Sequence, residues 1–97
     1  MRLLIGLAAL AGLAACASPE SMFYEVTRRS ADAVNYQVNI GNMNRQSSEV
    51  ADILAHMDGL ATTECQNMGK QSARMTDEWT RTSGSYYTWV ERAYRCS

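Results

Sequence analysis

SSEVADILAHMDGLATTECQNM, residues 47–68, is apolar at Val50, Ile53, Leu54, Met57, Leu60, Ala61 and Met68. Spacings of three and four put these side chains on one stripe of an α-helix, with the polar residues on the other side. Ser47 or Ser48 can cap the start, and Glu49 and Asp52 sit in the first turn, where the helix dipole favours acid. Gly69 stands where a left-handed residue ends a helix, with Lys70 next. Gly59 lies inside the helix at a cost of about 1 kcal/mol relative to Ala, which suggests a close contact or a bend. Cys65 lies one turn beyond Ala61, on or beside the apolar stripe.

The flanking segments are strands. Upstream, residues 33–40 alternate: Val34, Tyr36, Val38 and Ile40 point one way, Asn35, Gln37 and Asn39 the other. A period of two with one polar face is a half-buried strand. Gly41 and Asn42 supply the turn that follows. Downstream, 72–80 and 86–96 read as a hairpin around Ser83 and Gly84. The expected architecture is α+β, in the order β-α-β-β, with one amphipathic helix on a three-stranded sheet. The first two strands should run parallel through a right-handed crossover, and the last strand should return antiparallel to the second. Residue 96 would then end beside the start of the second strand, close to the helix C-terminus and Cys65. If Cys96 faces the helix, so does Tyr94, while Trp89 and Tyr87 face away. Arg92 falls on the helix side and strains this register. Residues 17–30 begin as a polar tether, although 22–27 carry strand-forming residues and can add a short extra strand.

The N-terminus, MRLLIGLAALAGLAACAS, has one basic residue, Arg2, and then an apolar run over 3–15. Thirteen residues of helix reach roughly 20 Å, too short to span a bilayer core of about 30 Å comfortably. A basic start, a short apolar run and small residues at its end make a secretory signal peptide. Its end, Leu13-Ala14-Ala15-Cys16, resembles the lipobox of bacterial lipoproteins at all four positions. The resemblance implies a signal peptide over 1–15, cleavage before Cys16, a diacylglyceryl group on its sulfur and acylation of the new amine, palmitate being a usual chain. Two or more acyl chains hold a protein firmly at a membrane, where one holds it marginally. In Gram-negative members, Asp just after the lipidated cysteine favours the inner membrane. Ala17 and Ser18 stand here, so the resemblance implies the outer membrane, facing the periplasm.

On this reading residues 16–31 form the lipidated N-terminus and tether, and 32–97 form the α+β domain. Arg2 leaves with the signal, so the basic count falls from 9 to 8 against 10 acidic residues, a side-chain balance of −2. That balance, with no basic cluster larger than Arg28-Arg29, argues against a nucleic-acid partner. A domain this small has a thin core and often needs a staple. Cys65 and Cys96 remain once Cys16 is lipidated, and in an oxidising compartment such a pair is expected to form a disulfide. Their wide spacing differs from the C-x-x-C of redox-active pairs. The pattern C-x₃-G-K-x₂-A at Cys65, Gly69, Lys70 and Ala73, followed by A-Y-R-C over 93–96, is similar to a recurring small bacterial envelope domain. In that domain a helix cysteine pairs with one near the C-terminus. The similarity supports the fold and names no activity.

Candidate sites are sparse. His56, the only histidine, lies off the apolar stripe and one turn after Asp52. Asp52 and His56, with Glu49 or Asp58, could converge on one face to hold a metal, but a solvated helix face is the simpler reading. Met22, Met43, Met57, Met68 and Met75 could serve copper(I), yet they lack close M-x-M or H-x-M spacing and suit core packing. No Ser-His-acid set or phosphate-binding glycine loop is present. Asp77 and Glu78 are adjacent on a strand and face opposite ways. The chain therefore reads as a non-enzyme without cofactor or metal. The aromatics Trp79, Tyr86, Tyr87, Trp89 and Tyr94 crowd the C-terminal part. One helix covers one face of the sheet, leaving the other to Asn35, Gln37, Arg74, Thr76, Glu78, Trp89 and Arg95. Trp89, Tyr87, Arg74 and Arg95 are the candidate interaction face, unless the register slips by one and Trp89 enters the core. The expected function is a lipid-anchored periplasmic module that binds an envelope protein or the cell wall. The alternatives are an accessory lipoprotein without a specific ligand and, behind it, a periplasmic metal binder using Met and His56.

Overall fold

The computed structural model describes residues 19–41, 47–84 and 87–97. The leader, Cys16, Met43 and Tyr86 lie outside the described residues. A 3₁₀ turn, Pro19–Ser21, is followed by β1 (Tyr24–Ser30), β2 (Ala33–Asn39), α1 (Ser47–Asn67), β3 (Ala73–Ser83) and β4 (Tyr87–Cys96). The fold is α+β, with α1 packed on one sheet of order β1-β2-β4-β3 and every neighbouring pair antiparallel.

The sheet therefore has four strands among the described residues rather than three. The added strand is β1, an edge strand that covers part of the stretch read as a tether. Its residues YEVTRRS alternate weakly because an edge strand has solvent along one side. The expected directions hold: the strands on either side of the helix run the same way, and the last strand returns antiparallel to the one before it. β4 lies between β2 and β3, so those two run in the same direction without pairing. The hairpin β3–β4 docks through its second strand, which pairs with β2 from Ala33↔Arg95 to Asn39↔Trp89. The Cys96 amide donates to the Asp32 carbonyl at 2.7 Å and closes the end of that ladder.

The core forms where the two periodicities meet. Val34, Tyr36 and Val38 of β2 are buried, and the residues between them are not. On α1, Ile53, Met57, Ala61 and Cys65 are wholly buried, each four residues after the last. Val50, Leu54, Leu60 and Met68 pack at the margins, and Val90 and Tyr94 of β4 complete the cluster. Burial of this apolar surface is the main force holding helix to sheet. The helix ends as expected: Gly69 has φ +86°, its amide donates to the Gln66 carbonyl, and the Lys70 amide donates to the Cys65 carbonyl, both at 3.0 Å. Of the two reasons expected for Gly59, the close contact is ruled out. A Cβ there would have nothing within 4 Å, so no close contact requires glycine.

Cys65 and Cys96 form a disulfide with Cα atoms 5.3 Å apart, joining α1 to the end of β4. The pairing Ala73↔Cys96 puts the end of β4 beside the start of β3, as the hairpin register requires. Ser97 continues the pairing, with its amide donating to the Ser72 carbonyl and its own carbonyl accepting from Gln71 and Ser72.

Candidate functional site: the open face of the sheet

The two faces of β4 are sharply different. Thr88, Val90, Tyr94 and Cys96 are buried toward α1, and Tyr87 and Arg95 are exposed on the other side. Trp89 is half-buried on that open side, opposite Asn39 of β2 and Arg81 of β3. The register in which Trp89 faces away from the helix is the one the fold adopts.

Arg92 does face the helix, and a polar network receives it. Its guanidinium donates to Asp58 of α1 at 2.8 and 3.0 Å and to Glu78 of β3 at 2.6 Å. The Tyr94 hydroxyl donates to the same Asp58 carboxylate at 2.5 Å. Burial, then the hydrogen bond to Asp58 and its negative charge, push the Tyr94 phenol well above its ordinary value. Burial pulls on the Arg92 guanidinium in the opposite sense, but its bonds to Glu78 and Asp58 outweigh that and raise it. This network makes Arg92 a tie between α1, β3 and β4, and it takes Glu78 off the open face.

A bulge accounts for Glu78. Met75 pairs with Tyr94 and Asp77 with Ala93, so Thr76 is the extra residue. Beyond it every side chain of β3 changes sides relative to strict alternation. Asp77, Trp79, Arg81 and Ser83 share the face of Ala93, Glu91, Trp89 and Tyr87. Trp79 therefore joins the open face, a residue that alternation alone assigned to the other side. An unpaired β-bulge leaves no mark in hydrophobic periodicity, so nothing in the strand itself announced the switch.

Tyr87 is 54% exposed and Trp79 is 45% exposed. With Trp89 between them in register, they share the open face toward the hairpin end of the sheet. Polar side chains beside them are tied to each other. Arg81 donates to Gln37 at 3.0 Å, and Gln37 donates to Glu25 at 2.7 Å. Thr27 and Asn35 both donate to Glu91, at 2.9 and 3.2 Å. Arg74 and Arg95 also lie on the open face, opposite each other in register, but at the disulfide end. Eight residues of strand separate Tyr87 from Arg95, about 27 Å at roughly 3.4 Å per residue. The four expected residues thus share one face without forming one cluster. Arg95 is further occupied by Asp32 at 3.0 Å.

The other candidates are dispersed. His56 packs on Tyr24 with ring centroids 5.1 Å apart. The Tyr24 hydroxyl donates to the Pro19 carbonyl at 2.7 Å, which fastens the 3₁₀ turn over α1. Met57 is in the core, Met22 and Met68 are at its margin, and Met75 is 44% exposed. Among the described residues no three His, Cys, Asp or Glu side chains come together to hold a metal ion. Among the same residues no helix is long and apolar enough to cross a membrane. Comparison with known protein families, with curated proteins and with solved structures finds no match.

Proposed function

We propose that this chain is a lipid-anchored envelope protein facing the periplasm, and that its folded part is a non-enzymatic module binding an envelope protein or the cell wall. The anchor rests on the lipobox ending at Cys16. The contact surface is the open face of the sheet. One observation carries the reading: Tyr87, Trp79 and Trp89 share the side of the sheet away from α1, with hydrogen-bonded polar side chains around them. Large rigid aromatics give much contact area for little lost freedom, and Trp, Tyr and Arg dominate binding hot spots. The surrounding Gln37, Asn35, Glu91 and Arg81 are held in place by one another and supply oriented polar groups.

Photo-crosslinking in living cells tests this, with the reactive residue at position 89 and a control at Asp52, an exposed residue of α1. A discrete adduct from 89 and none from 52 is expected. Absence of an adduct at 89 leaves an accessory lipoprotein without a specific ligand as the better account. Mass analysis of the N-terminal peptide tests the anchor separately, by the acyl mass on Cys16.

A further inference from the structure

The sheet has two edges, and they differ. β1 is short, has a register shift between Val26 and Arg28, and is tied to the helix by the Arg29–Glu64 ion pair at 2.6 Å. β3 is 11 residues long and exposed along nearly its whole length. Its sequence, ARMTDEWTRTS, contains no proline, and its charges are of both signs, Asp77 and Glu78 against Arg74 and Arg81, so they can complement a second copy as well as repel one. After the bulge at Thr76, the run from Asp77 to Ser83 pairs regularly with β4 on one side, and on the other side no strand among the described residues pairs with it.

We infer that β3 pairs antiparallel with β3 of a second copy about a two-fold axis through Trp79. The register follows from charge. With Trp79 opposite its own copy, Asp77 stands opposite the partner copy's position 81, an arginine, and Arg81 opposite its position 77, an aspartate. Glu78 faces a threonine, at position 80 of the copy. On pairing, Arg81 exchanges its bond to Gln37 for the carboxylate of the copy, so two carboxylate–guanidinium pairs flank a central tryptophan pair, and opposite charges directly across a ladder are favourable. Centring on Asp77 or Glu78 sets identical carboxylates against each other, and centring on Arg81 sets two guanidinium groups together. Centring on Thr80 sets no carboxylate opposite a guanidinium, and centring on Thr76 puts the bulge at the axis; about Trp79 the regular part of the ladder runs from Asp77 to Arg81, with Thr76 opposite position 82 at each end. A two-fold interface of this kind closes on itself and makes a dimer. Because opposed residues share a face, both helices lie on one side of the eight-stranded sheet. The open-face aromatics of both copies then share the other side. The inference does not depend on the open face having a partner, since Trp89 lies one strand in from the edge.

Cysteine substitution in the full-length protein in its own envelope reads the axis directly. Directly opposed Cα atoms in an antiparallel pair are about 4.5 to 5.5 Å apart, within reach of a disulfide. Trp79→Cys is expected to give a disulfide-linked dimer on non-reducing electrophoresis, and Ser83→Cys, which faces a methionine in this register, is not. Light scattering of the full-length lipoprotein in detergent gives the second readout. Asp77→Arg is expected to raise the dimer dissociation constant about tenfold or more, because it sets arginine against arginine. The double variant Asp77→Arg/Arg81→Asp restores opposite charges and should restore the dimer. Equal crosslinking at 79 and 83, a monomeric wild-type protein, or failure of the double variant to recover with its circular dichroism intact would each overturn the proposal. A crosslinked species at twice the chain mass from position 79, with a heavier or different adduct from position 89, separates self-pairing from a partner on the open face.

Discussion

Arg92 shows how one residue that breaks a pattern is accommodated. It lies on the buried side of β4 between Val90 and Tyr94, where an unpaired charge would be costly. Asp58 and Glu78 approach it from two other elements, and Tyr94 adds its hydroxyl to the same carboxylate. Asp58→Asn keeps the size and removes the charge. It is expected to lower stability by roughly 1 to 2 kcal/mol in urea unfolding, moderated because the Asp58 side chain is 46% exposed. The Tyr94 phenol, raised by burial and by Asp58, gives a pH dependence. Its neutral form is favoured in the folded state, so its contribution is complete below the unfolded value near 10 and is lost as pH rises through the folded value. Tyr24 and Tyr36 are raised too, chiefly by burial, and act in the same direction. Unfolding midpoints should therefore fall above about pH 10, and Tyr94→Phe should flatten that fall.

The helix offers the cleanest test at the scale of an element. Gly59 has open space where a Cβ would go, and its φ is unexceptional. Gly59→Ala should stabilise the protein by about 1 kcal/mol and raise the melting temperature by about 4 to 8 °C. Gly69 is the opposite case. There is also open space at Gly69, but its φ of +86° is strained for an L-residue. Gly69→Ala should destabilise by about 1 kcal/mol, read by the same thermal scan. Equal shifts in the two variants would mean that backbone conformation is not what separates them. In β3 the bulge at Thr76 is the corresponding feature, since it delivers Glu78 to Arg92 and Trp79 to the open face.

The described residues make a thin fold, one helix on one sheet, and on the edge strand β3 Met75 stays exposed although it shares the helix side with Tyr94. The Cys65–Cys96 disulfide constrains a loop of 31 residues in sequence separation. The chain-entropy estimate for such a loop is about 3 to 4 kcal/mol. Reduction should lower unfolding stability by about that amount, a large share of what a small domain holds. Cys65→Ser with Cys96→Ser should match the reduced protein in urea titrations. A loss below about 1 kcal/mol would mean that core packing alone secures the C-terminal strand.

Local chemistry made much of this protein legible in its residues. The period-four row on α1, the alternation of β2 and the Gly69 cap follow from short-range spacing, and the Cys65–Cys96 pairing is expected from the count of cysteines left once Cys16 is read as lipidated. The orientation of Trp89 and Tyr87 follows in turn from fixing Cys96 toward the helix. Tertiary pairing settled the rest. The strand-forming residues at 22–27 leave an extra strand open and the ladder with β2 fixes it as β1, β4 reaches the middle of the sheet only through its ladder with β2, and Arg92 is satisfied by Asp58, 34 residues away in the chain. The bulge that brings Trp79 to the open face is set by pairing with β4, not by the residues of β3. Periodicity reports what a segment presents to its own two sides. It carries no record of which distant strand lies beside it, and that neighbour fixes both the sheet order and the composition of the face.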